Sequence, residues 1–183
     1  MENTNNSRLL FIVEDNEMFA ETVKLGLENT PNTEVKAFYT GEKMLSYIAD
    51  GGKLPDVVIL DFFLNSTVVD AKNGDEILTE FRKFYRDKKQ IPPSVIILTA
   101  SKDINSAVTL LKKGAKDYII KDDSFFNNLS KSIATIFELQ KIKEESKMHK
   151  NKADKYKKSL IYSLSAVGVV VAILVFLLLR GLL

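Results

Sequence analysis

The sequence contains no cysteine and only one histidine, His149, among its 183 residues. Without cysteine the chain can form no disulfides or thiolate metal sites and has no Cys nucleophile. One histidine is too little for a zinc cluster or for histidine-based catalysis, and His149 lies in a lysine-rich stretch where we expect it to be solvated. Any chemistry must therefore be carried by carboxylates, hydroxyls and lysines.

Charge is unevenly distributed along the chain, although the net charge is only +2. Residues 141–183 hold eight Lys and one Arg against three acidic residues, so this part carries +6 and residues 1–140 carry −4. An acidic and a basic part are expected to have different partners. The N-terminus is polar and Asn-rich, so we expect no signal peptide and a first domain that stays in the cytosol.

Short apolar runs alternate with helical patterns five times between Arg8 and Gln140. Runs such as Val57-Val58-Ile59-Leu60 are continuously apolar, which is typical of parallel strands covered by helices on both faces. The predicted strand and helix pairs are 9–13 with 17–29, 35–39 with 42–49, 57–60 with 74–85, 95–99 with 104–113, and 118–120 with 125–140. Five such pairs predict a doubly wound α/β sandwich.

The chain beyond residue 140 predicts a helical spacer and then a transmembrane helix. Ser159–Leu179 is 21 residues without a charge, and at about 1.5 Å per residue it can span a hydrocarbon core of about 30 Å. The alternative, a fully buried core helix, is disfavoured because no other segment could surround so long a run. Lysines crowd the N-terminal side of the span and only Arg180 follows it, so the positive-inside tendency predicts a single-pass, tail-anchored protein with a cytoplasmic first domain.

The expected organisation therefore has five segments: a disordered N-terminus (1–6), a globular domain (7–140), a Lys-rich helical spacer (141–158), a transmembrane helix (159–179) and a short tail (180–183). The spacer has too few apolar residues for a coiled-coil seam. It lies too close to the bilayer to favour a nucleic-acid site, so we expect no nucleic-acid partner. Its lysines are expected to meet anionic lipid headgroups.

Polar residues follow four of the five predicted strands. Glu14 and Asp15 follow the first strand, Asp61 the third, Thr99 the fourth and Lys121 the fifth. Functional groups of an open parallel sheet gather beyond the carboxyl ends of its strands. Three carboxylates at one place repel each other unless a cation joins them, and such oxygen ligands suit Mg²⁺. Singly, each residue has an ordinary explanation, such as a helix N-cap or a surface charge; together they indicate one pocket.

Over roughly residues 7–140 the chain resembles the receiver domain of two-component response regulators. The resemblance rests on five pieces in the right order and at the right strand ends, namely Phe11-Ile12-Val13-Glu14-Asp15-Asn16, Val57-Val58-Ile59-Leu60-Asp61, Val95-Ile96-Ile97-Leu98-Thr99-Ala100, Lys113-Gly114-Ala115-Lys116-Asp117-Tyr118, and Lys121. It implies a flavodoxin-like fold with strand order 2-1-3-4-5. It also implies a phosphorelay signalling protein that is not a turnover enzyme.

The resemblance implies that Asp61 is the nucleophile, which takes a phosphoryl group from the phosphohistidine of a histidine kinase or phosphotransfer protein. Mg²⁺ would be held by Asp15, Asp61 and the backbone carbonyl of Phe63, with Glu14 helping through water. The side chain of Phe63 is bulky and apolar, and we expect it to hinder attacking water.

Four further residues have implied roles around the phosphoryl group. Lys121 would pair with the phosphoryl oxygens from the opposite side. Thr99 would donate its hydroxyl to another of these oxygens and draw its loop inward, and the small Ala100 would let its backbone N–H approach. Tyr118 would move from an exposed to a buried position, although plain packing is the alternative explanation for this residue. These movements amount to a two-state switch biased by local charge.

The sequence departs from the family's usual pattern in two places. The family usually has Pro four residues after the phosphoacceptor and Gly eight after it, whereas here Asn65 takes the first position and Gly74 follows Asp61 by thirteen residues. The loop 64–73 is thus about five residues longer, and we expect it to affect kinase access or the lifetime of the acyl phosphate. Asp122 also stands where a Pro preceded by a cis peptide is common, which leaves a cis and a trans Lys121–Asp122 bond as alternatives.

Output is expected through the receiver surface, by binding a downstream protein or by self-association as a homodimer. Nothing after residue 140 resembles a DNA-binding or catalytic output domain. A second hypothesis is a membrane-anchored scaffold or adaptor whose pocket is rarely phosphorylated. A third, a metal-dependent phosphatase or hydrolase, would favour a second acid two residues after the nucleophile, where this chain has Phe63.

Overall fold

The computed structural model describes residues 7–64 and 71–181. The predictions made for residues 1–6, for Asn65 and the rest of the segment 65–70, and for residues 182–183 lie outside the described residues. The chain divides into two compact units between Ile136 and Phe137.

Strands and helices alternate from the first strand to the last helix, as the sequence predicts. The elements are β1 (Arg8–Val13), α1 (Glu17–Glu28), β2 (Thr33–Phe38), α2 (Gly41–Ala49), β3 (Val57–Asp61), α3 (Gly74–Asp87), β4 (Ser94–Thr99), α4 (Ile104–Lys112), β5 (Asp117–Ile120) and α5 (Phe125–Gly181). All neighbouring strands pair in parallel, and the sheet has the order β2-β1-β3-β4-β5. The predicted flavodoxin-like fold and its strand order are confirmed.

The three central strands are buried on both faces because helices cover both sides of the sheet. Every residue of β3 is buried, and β1 and β4 are buried at all positions after the first. One apolar cluster joins Phe11 and Leu60 of the sheet to Met44 of α2 and Phe81 of α3. Each such side chain contributes on the order of 1.5–3 kcal/mol when fully buried. The continuous apolar runs of the sequence therefore fix the sheet and, with it, the edge at which the strands end.

Short polar side chains begin the helices close to the strand ends. Asn16, directly after the β1 acids, accepts a hydrogen bond from the backbone N–H of Phe19. Asn73 forms a reciprocal capping box with Glu76 at the start of α3, and Asp103 caps α4. An N-cap of this kind stabilises a helix by about 1 kcal/mol. These caps fix where the loops bordering the carboxyl edge of the sheet end.

Helix α5 runs without a break over 57 residues from Phe125 to Gly181. The sequence predicts a helix to Gln140, a helical spacer over residues 141–158 and a transmembrane helix over residues 159–179, and all three segments fall within α5. Within the first unit α5 buries Leu129, Ile133 and Ile136. In the second unit its apolar stretch is long enough to cross a membrane by length and composition, and none of that stretch is buried.

Candidate functional site

Three acidic side chains converge at the carboxyl edge of the sheet. Val13 pairs with Leu60 in the β1–β3 ladder, so the residues that follow β1 lie beside the end of β3. Glu14, Asp15 and Asp61 each offer a carboxylate oxygen within 4.8 Å of the others. They are only 3%, 5% and 4% exposed, respectively. Buried carboxylates at this spacing repel each other strongly unless positive charge is near.

Lys121 supplies positive charge to this cluster. Its Nζ lies 2.7 Å from Glu14 Oε2 and 3.0 Å from Asp61 Oδ2, so one ammonium pairs with two carboxylates. The backbone N–H of Lys121 donates to the carbonyl of Thr99 at 2.7 Å, which fixes the lysine just beyond the end of β5. The predicted proximity of Glu14, Asp15, Asp61 and Lys121 is therefore what the structure shows.

The pKa values of the Glu14 and Asp61 carboxyl groups are raised in this pocket. Burial, together with the negative charge of Asp61, raises the pKa of Glu14 to about 7, and Lys121 only partly offsets this. Burial also raises the pKa of Asp61, against the opposing effects of Lys121 and of the backbone N–H groups of Phe63 and Phe62. One lysine therefore does not compensate fully for the negative charge, and a further cation would stabilise the ionised pocket.

A hard divalent cation fits the donors of this pocket. Asp61 Oδ1 is buried and has no hydrogen-bond partner among the described residues, whereas Oδ2 of the same residue pairs with Lys121. One oxygen of each of the three carboxylates lies within 4.8 Å of the others, so all three side chains could face a single ion. Oxygen-only donors of this kind are what Mg²⁺ and Mn²⁺ prefer. The predicted carbonyl ligand belongs to Phe63, whose ring is 44% exposed and packs edge-on against Phe62 at 4.8 Å.

The predicted switch residues are joined through the loop that follows β4. Thr99 is fully buried, and its Oγ1 accepts a hydrogen bond from the backbone N–H of Ser101 at 3.1 Å. The hydroxyl of Tyr118 donates to the carbonyl of the same Ser101 at 2.9 Å. Tyr118 is half-buried in this structure, and Ala100 is exposed between the two loop residues. Movement of this loop would therefore act on Thr99 and Tyr118 together.

Phe19 belongs to this site although the sequence did not single it out. The ammonium of Lys121 lies 4.6 Å from the centre of the Phe19 ring, within the range of a cation–π contact. The ring of Phe19 also packs against Phe125, the first residue of α5, at 5.5 Å. An aromatic residue in the first turn of an amphipathic helix has the pattern of an ordinary core residue, so the sequence carried no signal for this role.

Gly74 explains how the long loop after Asp61 returns to the site. A Cβ atom at this position would lie 2.2 Å from the carbonyl oxygen of Asp61 and 2.8 Å from the Cα of Phe62. The backbone N–H of Gly74 donates to the carbonyl of Phe62 at 2.8 Å. Only glycine lets the start of α3 pack so closely on the end of β3.

The turn after Lys121 contains a trans peptide. No cis peptide bond occurs in residues 7–64 or 71–181, so the Lys121–Asp122 bond is trans. The Asp122 carboxylate accepts hydrogen bonds from the backbone N–H and the hydroxyl of Ser124, at 2.9 and 2.7 Å. The Ser124 contacts lower the pKa of Asp122. Asp122 thus stabilises the turn as a local cap in place of a proline.

Comparison with known proteins agrees with this geometry. A family model, the response regulator receiver domain, matches residues 10–133. One curated relative is the probable C4-dicarboxylate response regulator DctR of Bacillus subtilis (strain 168), which is 30% identical over 113 residues, or 61% of this chain and 45% of the relative. The chain thus matches less than half of that relative's length.

Solved receiver structures share the fold. The signal receiver domain of a putative LuxO repressor protein from Vibrio parahaemolyticus is 26% identical with a TM-score of 0.61, covering 75% of this chain and 95% of that one. The Mn²⁺-bound form of the response regulator Rcp1 is 19% identical with a TM-score of 0.55, covering 66% and 87%. At that identity Rcp1 supports the fold alone.

Proposed function

Because this chain belongs to the response regulator receiver domain family, we propose that Asp61 accepts a phosphoryl group from the phosphohistidine of a histidine kinase or phosphotransfer protein. Receiver domains are signalling proteins, so the chain would act as a switch whose state is the phosphorylation of Asp61. It would not be a turnover enzyme.

The observation that carries this proposal is the unequal environment of the two Asp61 oxygens. Oδ2 is held by Lys121 at 3.0 Å, whereas Oδ1 is buried without a hydrogen-bond partner among the described residues. The ion and the phosphoryl group would use different oxygens of Asp61, and the oxygen that attacks phosphorus is the one that the ion does not contact. Its lone pair would form the new P–O bond while the P–N bond to the donor imidazole breaks and the imidazole takes the electron pair. The protein's part in such a reaction is chiefly alignment and charge neutralisation.

Mg²⁺ is the cofactor that the donors fit best. Asp15, Asp61 and the backbone carbonyl of Phe63 would hold the ion, and Glu14 would contact it through water. The bound ion would neutralise charge on the phosphoryl oxygens. Rcp1, which has the same fold, has been solved in a Mn²⁺-bound form, whereas the case for a cation in this chain rests on its own carboxylates.

Lys121, Thr99 and Ala100 would receive the phosphoryl group. The Lys121 ammonium already contacts Asp61 and would pair with a phosphoryl oxygen with little movement. The Thr99 hydroxyl currently accepts from Ser101, so its proton remains available to donate to a second oxygen. The backbone N–H of Ala100 would donate to a third. Because Ser101 also holds the Tyr118 hydroxyl, inward movement of Thr99 would change the position of that ring.

We further propose that α5 anchors the chain in a membrane as a single, tail-anchored span over residues 159–179, with the receiver on the cytoplasmic side. Eight lysines precede this span, and Arg180 follows it, in agreement with the positive-inside tendency. The phosphorylated receiver would then signal close to the membrane surface, through a downstream protein or a second copy of the chain. No nucleic-acid partner is expected.

The test is phosphorylation of the full chain in detergent micelles by acetyl phosphate, with Mg²⁺ or with EDTA, followed by intact-mass measurement. We expect addition of one phosphoryl group that requires Mg²⁺ and is lost in Asp61→Asn. Asp87→Asn is the matched control, because it makes the same chemical change at an exposed residue at the end of α3. Labelling that persists in Asp61→Asn would refute Asp61 as the acceptor.

A folded wild-type chain that neither binds Mg²⁺ nor becomes labelled would instead support the membrane-anchored adaptor. The anchor is tested separately, by asking whether the full chain floats with lipid vesicles and resists alkaline extraction. Replacing residues 159–183 with an unrelated tail anchor then distinguishes localisation from transmission. Signalling that is lost despite correct membrane targeting would reject passive tethering.

A further inference from the structure

Four hydrogen-bond donors lie on one face of α5 where the charged part of the helix meets its uncharged part. Lys152, Lys155, Tyr156 and Ser159 follow each other at helical spacings of three, one and three residues, and all four are exposed. They border one common concave patch on the helix. Residues three, four and seven apart share a helix face. We call these four residues the juxtamembrane donor face.

The composition of this face suits an anion. Two ammonium groups, a phenol and an aliphatic hydroxyl offer donors side by side. At 100° per residue, the nearby acid Asp154 lies about 160° around the helix from Lys152, about 140° from Ser159 and about 100° from Lys155, so it lies outside this face. A headgroup with a phosphate and a net negative charge matches these donors better than a zwitterionic headgroup, whose phosphate is already neutralised by its own cation.

The position of the juxtamembrane donor face along the helix indicates that the phosphate belongs to a lipid headgroup. With Ser159 at the boundary of the span, Tyr156 lies about 4.5 Å, Lys155 about 6 Å and Lys152 about 10 Å before it along the helix axis. The headgroup layer on each side of the hydrocarbon core is roughly 5–8 Å thick. Lys155 and Tyr156 are therefore at headgroup depth, and Lys152 is within about one Debye length of it. Lys141, at about 27 Å, is beyond that length.

We propose that the juxtamembrane donor face binds the phosphate of an anionic phospholipid headgroup in the cytoplasmic leaflet. This inference rests on the membrane anchoring put forward above, and it assigns the expected contact between the spacer and anionic lipid to these four residues. Each lysine close to an anionic surface contributes roughly a fivefold enrichment. The two hydroxyls, which carry no charge, would add selection for a phosphate at this position on the helix.

The test uses the full chain reconstituted in vesicles of phosphatidylcholine with about one-fifth phosphatidylserine. The sequence contains no cysteine, so Ala153→Cys introduces a single site for a donor fluorophore on the spacer. Energy transfer is measured to a trace of acceptor-labelled phosphatidylserine and, separately, to acceptor-labelled phosphatidylcholine. We expect the serine-lipid signal to exceed the choline-lipid signal severalfold and to decline as salt is raised.

Matched variants distinguish binding by the juxtamembrane donor face from a general attraction between the positively charged spacer and the membrane. Lys152→Gln with Lys155→Gln is expected to lower the preference about fivefold or more. Lys141→Gln with Lys143→Gln removes the same charge farther from the span and is expected to leave the preference unchanged. Tyr156→Phe with Ser159→Ala keeps every charge and should lower it about twofold. Equal losses in the two lysine variants, or no loss in the hydroxyl variant, would overturn the inference.

Two further arms identify the source and separate this inference from its premise. Inorganic phosphate and chloride are compared at equal ionic strength; loss of the lipid preference with phosphate alone would mean that the face takes free phosphate and would overturn the lipid assignment. A chain that does not float with vesicles overturns both the anchor and this inference. A chain that floats but shows equal energy transfer to both labelled lipids overturns the lipid-binding inference alone. Labelling of Asp61 is measured independently of the anchor and of this inference.

Discussion

Glu14→Gln is predicted to stabilise the metal-free protein above neutral pH. In the folded protein the Glu14 carboxylate is 3% exposed and lies beside Asp61, and these surroundings raise its pKa to about 7. Ionising this group is therefore harder in the folded state than in the unfolded chain. Gln has nearly the same shape as a protonated Glu and never ionises, so the variant avoids this cost. Asp61 keeps its ion pair with Lys121.

The size and sign of the effect follow from the two pKa values of Glu14. The pKa rises from an ordinary 4.5 to about 7, and each pH unit corresponds to 1.36 kcal/mol, so the full effect is about 3 kcal/mol. Below pH 4.5 the group is protonated in both states and contributes nothing. Between pH 4.5 and 7 the folded state holds more protons, so the free energy of unfolding falls as pH rises. Above pH 7 the loss is complete.

Urea unfolding of a fragment ending at residue 150 checks this prediction. Circular dichroism monitors the unfolding at several pH values from 5 to 8, with EDTA present. We expect wild type and Glu14→Gln to have similar free energies of unfolding at pH 5. At pH 8 the variant should be more stable by roughly 2–3 kcal/mol. Glu138→Gln makes the same change at an exposed position of α5 and should stay within about 0.5 kcal/mol of wild type throughout.

Addition of Mg²⁺ should reverse the ranking at pH 8. A cation that binds the folded state stabilises it by mass action, and it binds best when the carboxylates are ionised. Wild type should therefore gain more stability from Mg²⁺ at pH 8 than at pH 6, and more than Glu14→Gln gains at either pH. Parallel pH profiles without metal, or a variant that is less stable at pH 8, would refute the reasoning about Glu14.

Three further variants test other contacts of the site. Gly74→Ala should lower the free energy of unfolding by about 1–3 kcal/mol, because its Cβ would collide with strand-end backbone; urea unfolding measures this, and unchanged stability would contradict it. Phe19→Leu removes a cation–π contact worth about 0.5–2 kcal/mol and should slow Mg²⁺-dependent labelling by acetyl phosphate severalfold, because Lys121 is held less firmly. Tyr118→Phe should retain labelling but speed amide exchange at Ser101, where it removes a hydrogen bond of about 1 kcal/mol; unchanged exchange would count against the coupling.

The fold and the edge of the sheet that carries the site could be predicted because they depend on local composition and simple topology. Continuously apolar runs such as 57–60 are stable only when both faces are covered, which requires a parallel sheet with helices on each side. Once the strands are parallel, the side chains of Asp15, Asp61 and Lys121 lie at the same edge of the sheet, since Asp61 ends β3, Lys121 directly follows β5 and Asp15 lies two residues after β1.

Contacts that depend on side-chain rotamers and packing could not be predicted. Nothing in the sequence shows that the Lys121 ammonium pairs with both a Glu14 and an Asp61 oxygen. Nor does the sequence show that the Phe19 ring lies against the same ammonium. The sequence predicts three consecutive helical segments in this part of the chain, and α5 contains all three. Loss of the apolar stripe after residue 140 reports that the helix leaves its packing surface, but the Lys, Glu and Ala that follow are good helix formers, so the backbone continues.

Lys121 connects the charge of the pocket to the start of α5 through two contacts. Its ammonium is shared between Glu14 and Asp61 and rests against the Phe19 ring, which in turn packs on Phe125. A phosphoryl group on Asp61 would add negative charge on one side of this ammonium. The ammonium would then be drawn toward the phosphoryl group, and its ion pair with Glu14 would weaken. Any resulting shift of Lys121 must be accommodated by Phe19, because closely packed rings transmit displacement and do not absorb it. The first residue of α5 is thus linked through packed side chains to Asp61, the proposed phosphoacceptor.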